Sequence, residues 1–135
     1  LIAYLDTSAA GKLLADEPES GALRAHLDDL IGRMDTEIVS ALLVETELRR
    51  MATRVGIPQA AASDVLIRLA MIEMDRNLFR EAGTLPGSTL RSLDALHIAA
   101  ALQAGADEYI SYDPRQLQGA EAVGLRVRSP GRSRE

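Results

Sequence analysis

Short apolar runs alternate with helix-length stretches along almost the whole of this 135-residue chain. Leu1–Leu5 is such a run and ends at Asp6; its continuous apolar character predicts a buried strand of a parallel sheet. Asp6-Thr7-Ser8 offers three N-cap residues in succession, and a short helix is expected over Ala9–Ala15. Leu23, Leu27 and Leu30 recur at helical spacing after Pro18, which suits the first turn of a second helix. Glu37–Ser40 reads as a second strand, Ala41–Val55 and Gln59–Leu69 as helices, and Ala70–Met74 as a third strand. A short helix at Asn77–Gly83 and a Pro/Gly loop at Thr84–Thr89 precede the clearest helix, Ser92–Gly105. Tyr109–Tyr112, Pro114–Val123 and Leu125–Val127 complete a strand, helix, strand succession. Such alternation predicts an α/β domain over residues 1–128 with helices on both faces of a mainly parallel sheet. Residues 129–135, rich in Pro, Gly, Ser and Arg, are expected to form a short flexible tail.

Composition narrows the chemistry. There is no cysteine, which removes disulfides, thiolate catalysis and Cys-ligated zinc. No apolar run approaches the ~18 residues of a membrane span, so the expectation is a cytoplasmic protein without a membrane partner. With one Phe, three Tyr and no Trp, the core must be aliphatic. The net charge of −5 is unusual for a nucleic-acid binder. It is compatible with a metal nuclease, whose carboxylates are neutralised by the ions they hold. Arg dominates the basic residues, with Lys12 the only lysine; arginine suits bidentate phosphate contact, and a compositional bias of the genome gives the same pattern.

Four acidic residues occupy related positions. Asp6 ends the first strand, Glu47 lies in the helix after the second, Asp94 lies in the first turn of the clearest helix, and Asp113 follows a late strand. Ligands of open α/β sheets bind beyond the carboxyl ends of the strands, so Asp6 and Asp113 converge if their strands are neighbours. Structural roles compete with this reading. Asp6 can be an N-cap, and Asp94 can stabilise its helix N-terminus by roughly 0.3–1 kcal/mol. Carboxylates brought together retain protons or recruit a cation. An all-oxygen donor set suits magnesium or manganese. Such an ion activates water and offsets phosphate charge, which points to phosphodiester hydrolysis.

The stretches Tyr4-Leu5-Asp6-Thr7-Ser8-Ala9, Thr46-Glu47-Leu48-Arg49-Arg50, Leu90-Arg91-Ser92-Leu93-Asp94-Ala95-Leu96-His97 and Ser111-Tyr112-Asp113-Pro114-Arg115-Gln116-Leu117 carry a resemblance. In this order and spacing, with Ala122-Val123-Gly124-Leu125 as a close, the chain resembles the PIN-domain family, and within it the VapC toxins of bacterial toxin–antitoxin pairs. The resemblance implies a three-layer α/β/α sandwich. It implies an endoribonuclease dependent on Mg2+ or Mn2+, with Asp6, Glu47, Asp94 and Asp113 as the acidic quartet. Asp6 and Asp94 would contact the metal directly, Asp113 would hold the same ion through water or help a second, and Glu47 would orient or deprotonate the attacking water. It also implies a homodimer and a VapB-type antitoxin partner. Two other readings share the residues: a PIN-domain ribonuclease that is not a toxin, and an inactive RNA- or protein-binding module. A receiver-like phospho-acceptor domain is disfavoured, because it needs a late lysine that is missing.

Glu45 competes with Glu47, and residues two apart on a helix do not face the same way. Glu47 is preferred because the Glu-Leu-Arg beginning there fits the motif. Thr7 and Ser8 are read as caps or as partners of Asp6. His97 is read as a packed, hydrogen-bonded histidine, Arg91 as a member of a surface ion pair, Arg115 equally as an RNA contact or as solvated surface, and Arg49, Arg50 and Arg54 as a solvated helix face.

Overall fold

The structure, a computed structural model, describes residues 1–132. Five strands form one sheet: β1 Ile2–Leu5, β2 Glu37–Ala41, β3 Ala70–Ile72, β4 Glu108–Ile110 and β5 Val127–Arg128. The helices are α1 Thr7–Leu14, α2 Ser20–Arg33, α3 Val44–Val55, α4 Gln59–Leu66, α5 Arg76–Gly83, α6 Ser92–Ala104 and α7 Pro114–Ala122. The strand order is β3-β2-β1-β4-β5, and every pairing is parallel. This is the expected α/β sandwich with a parallel central sheet.

Alternation along each strand divides the core into two layers. Ala3 and Leu5 of β1 and Ile110 of β4 face one side, where Leu23, Leu27 and Leu30 of α2 meet Val44 and Leu48 of α3 and Val65 of α4. Tyr4, Val39 and Tyr109 face the other side, against Leu78 of α5, Ile98 and Ala99 of α6 and Ala120 of α7. α6 is buried on most of its circumference, with Ala95 and Ala99 to Ala101 all covered. Its small side chains let it lie close to the sheet between α5 and α7, which is why it shows little amphipathic pattern.

Several boundaries differ from the sequence reading for local reasons. Ala41 stays in β2, in register with Ile72, and Leu42 N–H still bonds Ile72 O at 3.0 Å, so α3 cannot begin before Val44. α4 stops at Leu66, and Arg68 and Leu69 close with turn bonds to Val65 and Leu66. Pro18 precedes the second helix rather than entering its first turn, since α2 starts at Ser20. β5 is Val127–Arg128. The segment after it, expected to be a loose tail, is hydrogen-bonded as far as Arg132: Ser129 is buried, and Ser129, Pro130 and Arg132 all bond the Ser111–Tyr112 segment. The rest of the expected tail, 133–135, lies outside the described residues.

Candidate active site

From β1 the chain moves by α1 and α2 to β2 on one side, while β4 lies on its other flank and leads outward to β5. The order therefore reverses between β1 and β4, and at such a switch point the connections diverge and leave a crevice beyond the strands' carboxyl ends. Leu5 pairs with Ile110 at that edge. Asp6 and Ser111 are the next residues, so the neighbouring-strand condition for convergence of Asp6 with the Asp113 loop is met.

Asp6 is fully buried and does two things at once. Its Oδ1 caps α1, accepting Ala9 N–H at 2.9 Å and the Ser8 hydroxyl at 2.7 Å. Its Oδ2 accepts the Ser111 hydroxyl at 2.6 Å. The cap and the site are one arrangement, not alternatives. Burial pushes the Asp6 carboxyl above its ordinary value, while His97 and the hydrogen bonds from Ser111, Ser8 and Ala9 pull the other way.

Asp113 caps α7, taking Arg115 N–H at 2.9 Å on Oδ1, and its own N–H bonds the Ser111 hydroxyl at 3.0 Å. Asp94 does not cap its helix. It is buried and accepts the Gln116 side-chain amide of α7 at 3.1 Å, which leans it toward the Asp113 loop. Gln116 in turn accepts the buried Tyr109 hydroxyl. Burial raises the Tyr109 hydroxyl well above its usual range, and the charges of Asp6, Asp94 and Asp113 all add to the effect. The Tyr109 phenol thus lies within electrostatic reach of three of the four acids.

Glu47 is the carboxylate of α3 that turns to this edge. Its Oε1 accepts the Thr7 hydroxyl at 2.6 Å and lies 2.9 Å from His97 Nε2. Glu45 instead pairs with Arg49 one turn along. His97 is almost wholly buried, with Nδ1 2.6 Å from the Tyr4 hydroxyl. A Tyr4 hydroxyl donating to Nδ1 leaves Nε2–H to face Glu47 and Thr7. The reading of His97 as a packed, hydrogen-bonded residue agrees with this geometry. Arg49 also bonds Gln59 and Ser63 and is committed to the α3–α4 pair; Arg50, Arg54, Arg91 and Arg115 are exposed.

The sequence reading gave no role to Ser111, Gln116, Tyr4 or Tyr109. Their signal was faint: Ser111 lies two residues before Asp113, and Gln116 three after it, each inside a motif already noticed for its acid.

The donors suit a hard divalent cation, being carboxylate and hydroxyl oxygens around a carboxyl whose charge is costly to bury. Among the described residues no three or more His, Asp or Glu side chains come together closely enough to hold one ion. Asp6 is instead tied to the Asp113 backbone through Ser111, and Asp94 to Tyr109 through Gln116. Magnesium usually takes one or two carboxylates and keeps several waters, so a sparse set of this kind fits it.

The sequence model of the PIN domain family matches residues 3–122. Ribonuclease VapC35 of Mycobacterium tuberculosis H37Rv is 40% identical over 97% of this chain and 98% of that protein. Ribonuclease VapC47 of M. tuberculosis CDC 1551 is 37% identical over 95% and 96% respectively. Among solved structures, VapBC2 from Rickettsia felis bound to a DNA fragment from its promoter superposes with a TM-score of 0.70 at 16% identity, over 96% of this chain and 99% of that one. VapC20 of M. tuberculosis, described as a Sarcin-Ricin loop cleaving toxin, gives 0.69 at 16% identity, over 91% and 95%. At that identity the structural likeness speaks for the fold. The family match spans both strands that meet at the switch point and all four acids around it, and with relatives at this identity over nearly the full length, the chain belongs to the PIN domain family.

Proposed function

We propose that this protein is a metal-dependent endoribonuclease acting as the toxin of a toxin–antitoxin pair. The observation that carries the reading is the junction of β1 and β4, where Asp6 and the Asp113 loop are tied together by the Ser111 hydroxyl, with Asp94 and Glu47 turned to the same edge. Relatives named as VapC ribonucleases, similar over nearly the whole length, support the activity and the RNA substrate. A likeness in fold to VapBC complexes supports an antitoxin protein as partner.

Asp6 and Asp94 would hold Mg2+ or Mn2+ directly, with Asp113 bonding the same ion through water or assisting a second. When bound, the cation supplies Lewis acidity, making water a better nucleophile and offsetting charge on the phosphate. The protein's own residues do the rest. Ser8 and Ser111 fix both oxygens of Asp6, Gln116 fixes one oxygen of Asp94, and Thr7 and His97 fix Glu47. Glu47 is 26% exposed at its side chain, so an entering water can reach it to be oriented or deprotonated.

The test is RNA cleavage by purified protein free of antitoxin, with EDTA, Mg2+ or Mn2+, beside Asp94→Ala. Cleavage that needs both metal and Asp94 is expected. Undiminished cleavage by folded Asp94→Ala overturns the site, and metal-independent cleavage overturns the chemistry.

A further inference from the structure

The segment after β5 lies beyond the residues matched to the family, and it touches the active site from behind. Two consecutive peptide groups join Ser111 to Asp113, and each is held at both ends. The carbonyl of Ser111 accepts the Ser129 hydroxyl at 2.6 Å, while the N–H at the other end of that peptide, on Tyr112, donates to the Ser8 hydroxyl oxygen at 2.8 Å. The carbonyl of Tyr112 accepts Arg132 Nη1 at 2.6 Å, while the N–H of Asp113 donates to the Ser111 hydroxyl oxygen at 3.0 Å. Each of these hydroxyls, its lone pair thus engaged, sends its own proton to Asp6: Ser8 to Oδ1 and Ser111 to Oδ2. The carboxylate is therefore aimed by two hydroxyls, the hydroxyls by two amides, and the amides by two residues near the end of the described chain.

Other contacts seat this strap. The Tyr112 hydroxyl donates to Pro130 O at 2.7 Å. Gly131 has φ +89° and runs so close to α2 that a Cβ there would stand 2.9 Å from the Ala22 Cβ. Glu19 pairs with Arg132 at 3.3 Å and with Lys12 at 2.9 Å, and these two cations also flank the Tyr112 ring. We infer that Ser129 and Arg132 are positioning residues of the active site, holding the two peptide groups whose N–H groups aim the Ser8 and Ser111 hydroxyls at Asp6.

The kinetic half of the test rests on the ribonuclease reading, and the exchange half does not. Ser129→Ala, Arg132→Ala and Arg132→Lys are compared with the parent for cleavage and for amide hydrogen exchange at Tyr112 and Asp113. In Ser129→Ala and Arg132→Ala, kcat falls by roughly 5- to 30-fold, the equivalent of one such hydrogen bond, with KM for RNA unchanged. Arg132→Lys, which keeps a donor for the Tyr112 carbonyl, recovers most of the rate. Both amides exchange faster in the two Ala variants, while amides of the β2–β3 ladder keep their protection. Unchanged exchange at both amides overturns the inference whatever the activity. Faster exchange with unchanged kcat overturns it too, because the turn would then move without consequence for Asp6. A parent protein that cleaves no RNA defeats the ribonuclease reading alone, and exchange still decides whether the strap holds the turn.

Discussion

Ser111 Oγ sits between two acids, donating to Asp6 Oδ2 at 2.6 Å and accepting the backbone N–H of Asp113 at 3.0 Å. One hydroxyl therefore joins the ends of β1 and β4 where the strand order reverses. A side chain with one donor and two acceptor sites is the smallest that can do this, and its burial leaves water no place in the bridge. The same logic recurs at Gln116, whose amide donates to Asp94 while its carbonyl oxygen accepts from Tyr109. Among the described residues no buried side-chain nitrogen or oxygen lacks a partner, so each link in this network has a defined cost when removed.

Gln116→Leu removes both links at the second bridge. The Tyr109 hydroxyl and one Asp94 oxygen lose their partners in a buried setting, which costs about 1–3 kcal/mol for each unsatisfied group. The expected result is a lower melting temperature together with weaker cleavage, since Asp94 is no longer fixed from α7. Gln116→Glu is expected to be worse for the fold at neutral pH, because it sets a second carboxylate against Asp94. Thermal melts of the two variants check this, and a Leu variant as stable as the parent would mean the bridge contributes nothing.

The two glutamates of α3 give a cleaner discrimination. Glu47 bonds Thr7 and faces His97, whereas Glu45 pairs with Arg49 at the surface. Glu47→Gln keeps an acceptor for Thr7 but loses the base, so cleavage is expected to fall by at least about 100-fold, within the range of general-base catalysis. Glu45→Gln breaks an exposed ion pair worth about 0–1 kcal/mol and leaves cleavage near the parent's. Side-by-side rates decide it; a larger loss in Glu45→Gln would move the active carboxylate by half a helical turn.

Asp6, Asp94 and Asp113 stand out in the sequence because each lies where an apolar run ends or a helix begins, whereas Glu47, inside a helix and two residues from Glu45, is singled out only by the family motif. Asp6 and Asp113 follow strands, and strand neighbourhood then brings them together. That the strands run parallel was legible from their alternation with helices, but that β1 and β4 are neighbours was not. The polar partners were not. Tyr4 and Tyr109 sit inside apolar runs and read as core, and their 5.2 Å stacked pairing arises only when β1 and β4 lie side by side. Gln116 reads as one polar residue of a short helix until α7 packs on α6. Ser129–Arg132 read as a loose end because Pro, Gly, Ser and Arg make no periodic pattern, and their bonds run to residues 18 or more positions away. Local composition carries no information about partners so distant.

Tyr4→Phe tests the link from the sheet to Glu47. The substitution keeps the ring and its stacking on Tyr109 but removes the hydroxyl that lies 2.6 Å from His97 Nδ1. A buried imidazole nitrogen then has no partner, at a cost of about 1–3 kcal/mol. The tautomer that presents Nε2–H is then held only from the Glu47 and Thr7 side. The expected outcome is a several-fold loss of cleavage alongside the drop in stability, with the metal requirement unchanged. If Tyr4→Phe cleaves as fast as the parent while melting lower, the His97 contact supports the fold and not the orientation of Glu47.

Asp6 sets stability and function against each other, and the sign follows from its carboxyl. Burial raises it above the ordinary value of 3.8 that it has in the unfolded chain. Between those two values the folded state binds more protons than the unfolded state, so stability falls as pH rises through that window. The contribution is fully present below 3.8 and is gone above the raised folded value. Asp6→Asn removes this linkage while its carbonyl oxygen can still cap α1 at Ala9. In EDTA at neutral pH the variant is therefore expected to melt higher than the parent, and the gap should shrink as the pH is lowered to about the ordinary carboxyl value. A divalent cation reverses the order. An ion at 100 times its dissociation constant stabilises the state that binds it by about 2.7 kcal/mol, and the parent gains more of this than a variant lacking the Asp6 charge. Melting curves with EDTA and with Mg2+, each at neutral and acid pH, give four comparisons. A parent that melts above Asp6→Asn in EDTA at neutral pH would show that the hydrogen bonds from Ser8, Ser111 and Ala9 outweigh burial at this carboxylate.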